Sequence, residues 1–85
     1  MSFEWDQHNR SKVEAHELTP EEVEHVIVDL ASTTVPQERD AHLELRWETV
    51  GRYAGKRIVA VWTVRSENTI RVVTAWIESR ERKPK

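Results

Sequence analysis

The seven residues Ile58-Val59-Ala60-Val61-Trp62-Thr63-Val64 carry no charge and are mostly β-branched or aromatic. Such side chains lose χ1 freedom in a helix and pack well on a pleated surface, so the run reads as a strand. Near-continuous apolar character, in place of alternation, suits a strand at the centre of a sheet. The flanking sequence supplies its neighbours. Before it, Leu43, Leu45, Trp47 and Thr49 alternate with Glu44, Arg46 and Glu48, which gives a strand with one wet face, and residues 51–55 turn the chain. After it, Ser66-Glu67-Asn68-Thr69 turns the chain back into residues 70–77, whose only charge is Arg71. Two hairpins in succession predict an antiparallel meander.

The first half has a different period. Phe3 and Trp5 alternate with Glu4 and Asp6 as a short opening strand. Residues 8–17 lack Gly and Pro and read as a first helix with Asp6 as its cap. Thr19-Pro20-Glu21-Glu22 combines an N-cap threonine, a proline at the first helical position and a glutamate at the third, which is a capping box. The helix it opens is expected over residues 20–30, burying a stripe of Val23, Val26, Ile27 and Leu30. Residues 31–42 are polar, include Pro36 and read as a loop. The expected fold is α+β, in the order β-α-α-β-β-β, with an antiparallel sheet and both helices packed on one face. Residues 1–78 make a single small domain, and residues 79–85 a basic C-terminal tail.

Charge follows the same division. Residues 1–45 hold three Lys/Arg against eleven Asp/Glu, and residues 46–85 hold ten against four. A basic sheet half attracts a polyanion, unless the two halves neutralise each other on folding. The absence of cysteine excludes disulfides, thiolate zinc sites and cysteine nucleophiles. His8 and His16 with Asp6 lack the i, i+4 spacing that sets two ligands on one helix face, so neither metal nor cofactor is expected. The first residues lack the basic-then-apolar pattern of a signal peptide, and no apolar run reaches membrane-spanning length, so a cytoplasmic protein without membrane contact is expected.

Phe3-Glu4-Trp5-Asp6, Asn9, His16 and then Leu18-Thr19-Pro20-Glu21-Glu22-Val23-Glu24 resemble the opening of BrnT-family proteins. Val50-Gly51-Arg52, the end of the central strand at Thr63-Val64-Arg65, and Ile70-Arg71-Val72-Val73-Thr74-Ala75 continue the likeness. The chain departs from the family pattern at Glu17, where members usually carry glycine, and at Trp76-Ile77, where many carry arginines. The resemblance implies a small ribonuclease toxin with a RelE-like fold, held inactive by a DNA-binding antitoxin, for which a ribbon-helix-helix protein is expected.

Metal-independent RNA cleavage needs a base for the 2′-hydroxyl, cations for the pentacoordinate phosphate and an acid for the leaving oxygen. Arginine suits the cationic role because its planar fork matches phosphate oxygens. Arg52, Arg65 and Arg71 match family positions and stand first, with Arg46, Lys56 and Arg57 as supporting RNA contacts. Glu48, Glu78 and His42 are the candidate acids and bases. Trp47 and Trp76 could stack on bases, whereas Trp5 and Trp62 read as core. The alternative to an enzyme is a non-catalytic relative that binds RNA or a protein through the same sheet; a third reading is an interaction domain whose two charged faces pair head to tail.

Overall fold

The computed structural model describes residues 2–37 and 45–80. Strand β1 (Ser2–Glu4) leads into helices α1 (Gln7–Ala15) and α2 (Pro20–Val28). Four strands follow: β2 (Thr33–Gln37), β3 (Arg46–Tyr53), β4 (Lys56–Ser66) and β5 (Thr69–Arg80). They form one sheet in the order β1-β5-β4-β3-β2, with the apolar run in β4 at its centre. The α+β class and the β3-β4-β5 meander are as expected. Two features differ. The sheet is mixed, not purely antiparallel, because β1 lies parallel to β5, with Phe3 opposite Ile70. Residues 33–37 form a fifth strand inside the stretch read as a loop, with Pro36 opposite Trp47. Pro36 is tolerated because β2 is an edge strand, where a missing N–H breaks no ladder bond.

Local chemistry sets the helix ends. The Asp6 side chain accepts the Asn9 N–H at 2.8 Å and opens α1. At its other end the N–H groups of Glu17 and Leu18 donate to the carbonyls of Glu14 and Val13, both at 3.0 Å. This is a Schellman motif, with Glu17 in the left-handed region at φ 65° where glycine is usual. In α2 the capping box forms: Thr19 accepts from the Glu22 N–H at 3.2 Å, and Glu22 accepts from the Thr19 N–H at 3.1 Å. The helix stops at Val28, two residues short of the expected end. Asp29 turns extended, and its carboxylate accepts the Ala31 N–H at 2.9 Å, a local bond that competes with another helical turn. Leu30, expected in the buried stripe, is therefore fully exposed, and Ile27 is only partly buried.

The core lies between the helices and one sheet face. Val13, Leu18, Val23 and Val26 meet Ile58, Ala60, Val72 and Ala75, with Phe3, Trp5, Ile27 and Ile77 packed around them. Gly51 lies within β3 and not in the turn as expected. A Cβ there would stand 2.0 Å from Ser32 Oγ and 3.1 Å from Val26 Cγ1, so the end of α2 and the chain after it rest on the strand. The turn itself is Ala54-Gly55, with φ 51° and 76°, the two positive values of a mirror-image hairpin turn.

Candidate functional site

Register fixes which residues share the other face. Ile58 and Ala60 belong to the helix-covered core, so Arg57, Val59, Val61 and Thr63 point away from it. Pairing carries that face to Arg52, Val50 and Glu48 in β3 and to Arg71, Thr74 and Trp76 in β5. Arg46 joins it by alternation from Glu48. Arg65 sits at a bulge near its end and reaches Glu4, the β1 residue opposite Arg71, at 3.3 Å. Val59 and Val61 are buried in this face, with half-buried Val50 and Trp76 opposite Val59. Trp47 and Trp62 stack at 6.0 Å on the opposite face, where Trp62 Nε1 donates to Thr49 Oγ1 at 2.8 Å. Trp5 and Trp62 are half-buried, not fully enclosed.

The basic residues gather at two ends of the sheet. At the β3–β4 hairpin, Arg52, Lys56, Arg57 and Arg80 line a cavity of about 180 Å³ together with Gly55 and Ser79. Three of these cations have carboxylates: Arg57 with Glu78 at 2.8 Å, Arg80 with Glu17 at 3.1 Å, and Lys56 with Glu22 of α2. Arg52 is exposed and has no carboxylate partner among the described residues. A larger cavity of about 530 Å³ adjoins it, lined by Arg52 and Arg57 and by Thr33, Val35 and Val50. Family comparison gives the site its context. Residues 5–81 match the ribonuclease toxin, BrnT, of type II toxin-antitoxin systems. The chain belongs to the BrnT family. Membership implies a ribonuclease toxin that acts on RNA and is paired with an antitoxin. No curated protein matches the sequence.

At the other end of the sheet of this BrnT-family chain, Arg46 and Arg71 line a cavity of about 230 Å³ with His8, Asn9 and Lys12 of α1 and Val73 of β5. Arg71 Nη2 lies 3.5 Å from Asp6 Oδ2. The Asp6 carboxyl is held below its ordinary range, first by the Asn9 N–H and then by the charges of Arg71 and His8. Glu22 is pushed up by burial, but the hydrogen bonds from Lys56 and Thr19 outweigh this and hold it below the usual range.

The expected site residues thus divide. Arg52, Lys56 and Arg57 come together at the hairpin, Arg46 and Arg71 meet at the far end, and Arg65 stands with Glu4. Glu78 is tied to Arg57. Glu48 stands on the same face between Val35 and Val61, without an ion pair among the described residues. His42 lies outside the described residues, as does the tail beyond Arg80. Arg80 itself, read as tail, ends β5, while His8 and Lys12 were not expected in a basic pocket; their i, i+4 spacing was the available signal. Among the described residues no three His, Asp or Glu side chains are grouped as for a metal ion, and no helix is long and apolar enough to cross a membrane.

Proposed function

We propose that this BrnT-family chain is a cytoplasmic endoribonuclease that cleaves RNA without a metal ion, using the arginines of the helix-free sheet face, and that a ribbon-helix-helix antitoxin silences it. The observation that carries this reading is Arg52. It is an exposed guanidinium in a four-cation cavity, where every other cation has a carboxylate. Ion pairs as open as Arg57–Glu78, with both side chains about half exposed, contribute little and give way to a phosphate. The hairpin end would hold the RNA backbone, the adjoining cavity with Val35 and Val50 would take a base, and Trp76 offers a stacking surface. Arg65 and Arg71 would stabilise charge on the reacting phosphate, and Glu48 would take the 2′-hydroxyl proton.

The test is cleavage of a mixed RNA by the purified chain, with and without a chelator. Activity should persist in the chelator. Arg52→Ala, Arg65→Ala and Arg71→Ala should each lower the rate by about 10²–10³ while thermal stability stays nearly constant. RNA binding should weaken steeply with salt, and Arg52→Ala should flatten that dependence by about one phosphate contact. Wild-type rates in all three variants would remove the arginine mechanism. The binding-module reading draws on a separate observation: Arg57, Arg65 and Arg71 each have a carboxylate within 3.5 Å. It predicts salt-sensitive RNA binding with intact RNA.

A further inference from the structure

The cavity between α1 and the far end of the sheet has a composition that the arginine reading leaves unused. Besides Arg46 and Arg71 it is lined by His8 and Lys12, which stand one helical turn apart on α1. Resting on the ribonuclease reading above, we infer that this cavity holds the scissile phosphate, and that His8 is the catalytic acid that protonates the departing 5′-oxygen.

His8 is placed by structure on both sides of it. Asp6 caps the helix by accepting the Asn9 N–H at 2.8 Å. The Asn9 side chain is buried, and its Nδ2 donates to the Val72 carbonyl at 2.5 Å. β1 stops pairing at Glu4, opposite Arg71, so the carboxamide of Asn9 takes up a β5 carbonyl just beyond the last β1 pair. The β4–β5 register also slips here: Val61 faces Thr74 while Trp62 faces Val72, which leaves Val73 as the extra residue of a bulge. A bulge re-aims the strand beside it, and such features recur next to active sites. The exposed imidazole of His8 is therefore held at the rim of a cavity lined by Arg71, Arg46 and Lys12, while its neighbour Asn9 is locked to the sheet.

These groups match the demands of transesterification. Arg71, Arg46 and Lys12 supply positive charge where the phosphate becomes more negative. Imidazole exchanges protons near neutral pH, which suits it to the acid role. In the step itself the 2′-oxygen forms a bond to phosphorus as the bond from phosphorus to the 5′-oxygen breaks. The 2′-hydroxyl proton passes to Glu48, two residues along β3 from Arg46, and the imidazolium proton of His8 passes to the 5′-oxygen. The products are a 2′,3′-cyclic phosphate and a 5′-hydroxyl, with no oxidant, reductant or metal consumed.

A pair of substrates isolates this role. One is an ordinary oligoribonucleotide; the other carries sulfur in place of the bridging 5′-oxygen at the cleaved position, and thiolate leaves without being protonated. His8→Ala and His8→Asn should lose about a hundredfold or more in single-turnover rate on the oxygen substrate and little on the sulfur one. RNA affinity and thermal midpoint should match wild type, because His8 is exposed. Wild-type rates on oxygen RNA, or equal losses on both substrates, would overturn the assignment of His8 while leaving the ribonuclease reading intact. An inactive wild-type chain would remove that reading and this inference together.

Discussion

Gly51→Ala measures how closely α2 sits on the sheet. In a strand interior, alanine has an intrinsic advantage over glycine of about 0.5–1 kcal/mol, because glycine loses more backbone freedom on folding. Opposing it, the new Cβ would stand 2.0 Å from Ser32 Oγ, 3.0 Å from Ser32 Cβ and 3.1 Å from Val26 Cγ1. The hydroxyl can rotate away. The other two contacts yield only if the segment after α2 moves off β3, and overpacking of this kind costs about 1–3 kcal/mol. The net effect should be a loss of about 1–2 kcal/mol. Ser32 Oγ is itself buried without a hydrogen-bond partner among the described residues, so Ser32→Ala should be neutral or slightly stabilising. In that background Gly51→Ala should cost less by about 0.5–1 kcal/mol, but not nothing, since the Ser32 Cβ contact remains. Urea unfolding of the four proteins, compared at constant m-value, gives the cycle. Equal costs in both backgrounds would show that Ser32 is not the obstacle, and a stabilising Gly51→Ala would show that the close approach does not exist.

Other substitutions probe the remaining contacts. Glu17→Gly should raise stability by up to about 1 kcal/mol, because it removes a left-handed non-glycine residue at the loss of only an exposed pair with Arg80; a lower thermal midpoint would contradict this. Leu30→Ser should change the unfolding free energy in urea by less than about 0.5 kcal/mol, whereas Val26→Ala, fully buried, should cost about 1.5–3 kcal/mol. Thr19→Ala should cost about 1 kcal/mol in the same assay through the lost cap. Asp6 and Glu22 titrate in the folded chain below their ordinary 3.8 and 4.5, so the stability they confer is complete above those values and is lost as pH falls through the lower folded ones. Urea midpoints should therefore hold from pH 7 to about 5 and fall below about 4, and Lys56→Met should reduce the fall.

What could be read from the sequence was local. Asp6, Thr19 and Glu22 act within one turn of where they stand, and the uncharged run of β4 carries its own evidence of position. Asp29 is ambiguous at that level, since a polar residue late in a helix and one that ends it by bonding to its own backbone look alike. Pro36 argues against a strand unless the strand is known to be an edge, and that depends on the whole sheet. The parallel partner of β1 could not be inferred, because hairpin connections order only the strands they join. The site follows the same rule. Arg52, Lys56 and Arg57 were foreseeable as a group because a two-residue turn joins them. Arg80 reaches them only because β5 returns alongside Lys56, and His8 and Lys12 reach Arg71 only because Asn9 pins α1 to the edge of β5.

The pairing of β1 with β5 also sets a timetable for synthesis. Strand β1 is made well before its partner β5, with Ser2 waiting for Thr69 and Glu4 for Arg71. Asn9 waits in turn for Val72, so neither β1 nor α1 can dock on the sheet until that stretch of β5 has been made. Arg71 itself belongs to the same strand. The far end of the sheet, where Arg71 meets Asp6 and lines a cavity with His8 and Lys12, therefore assembles only once β5 has been made and has returned to β1.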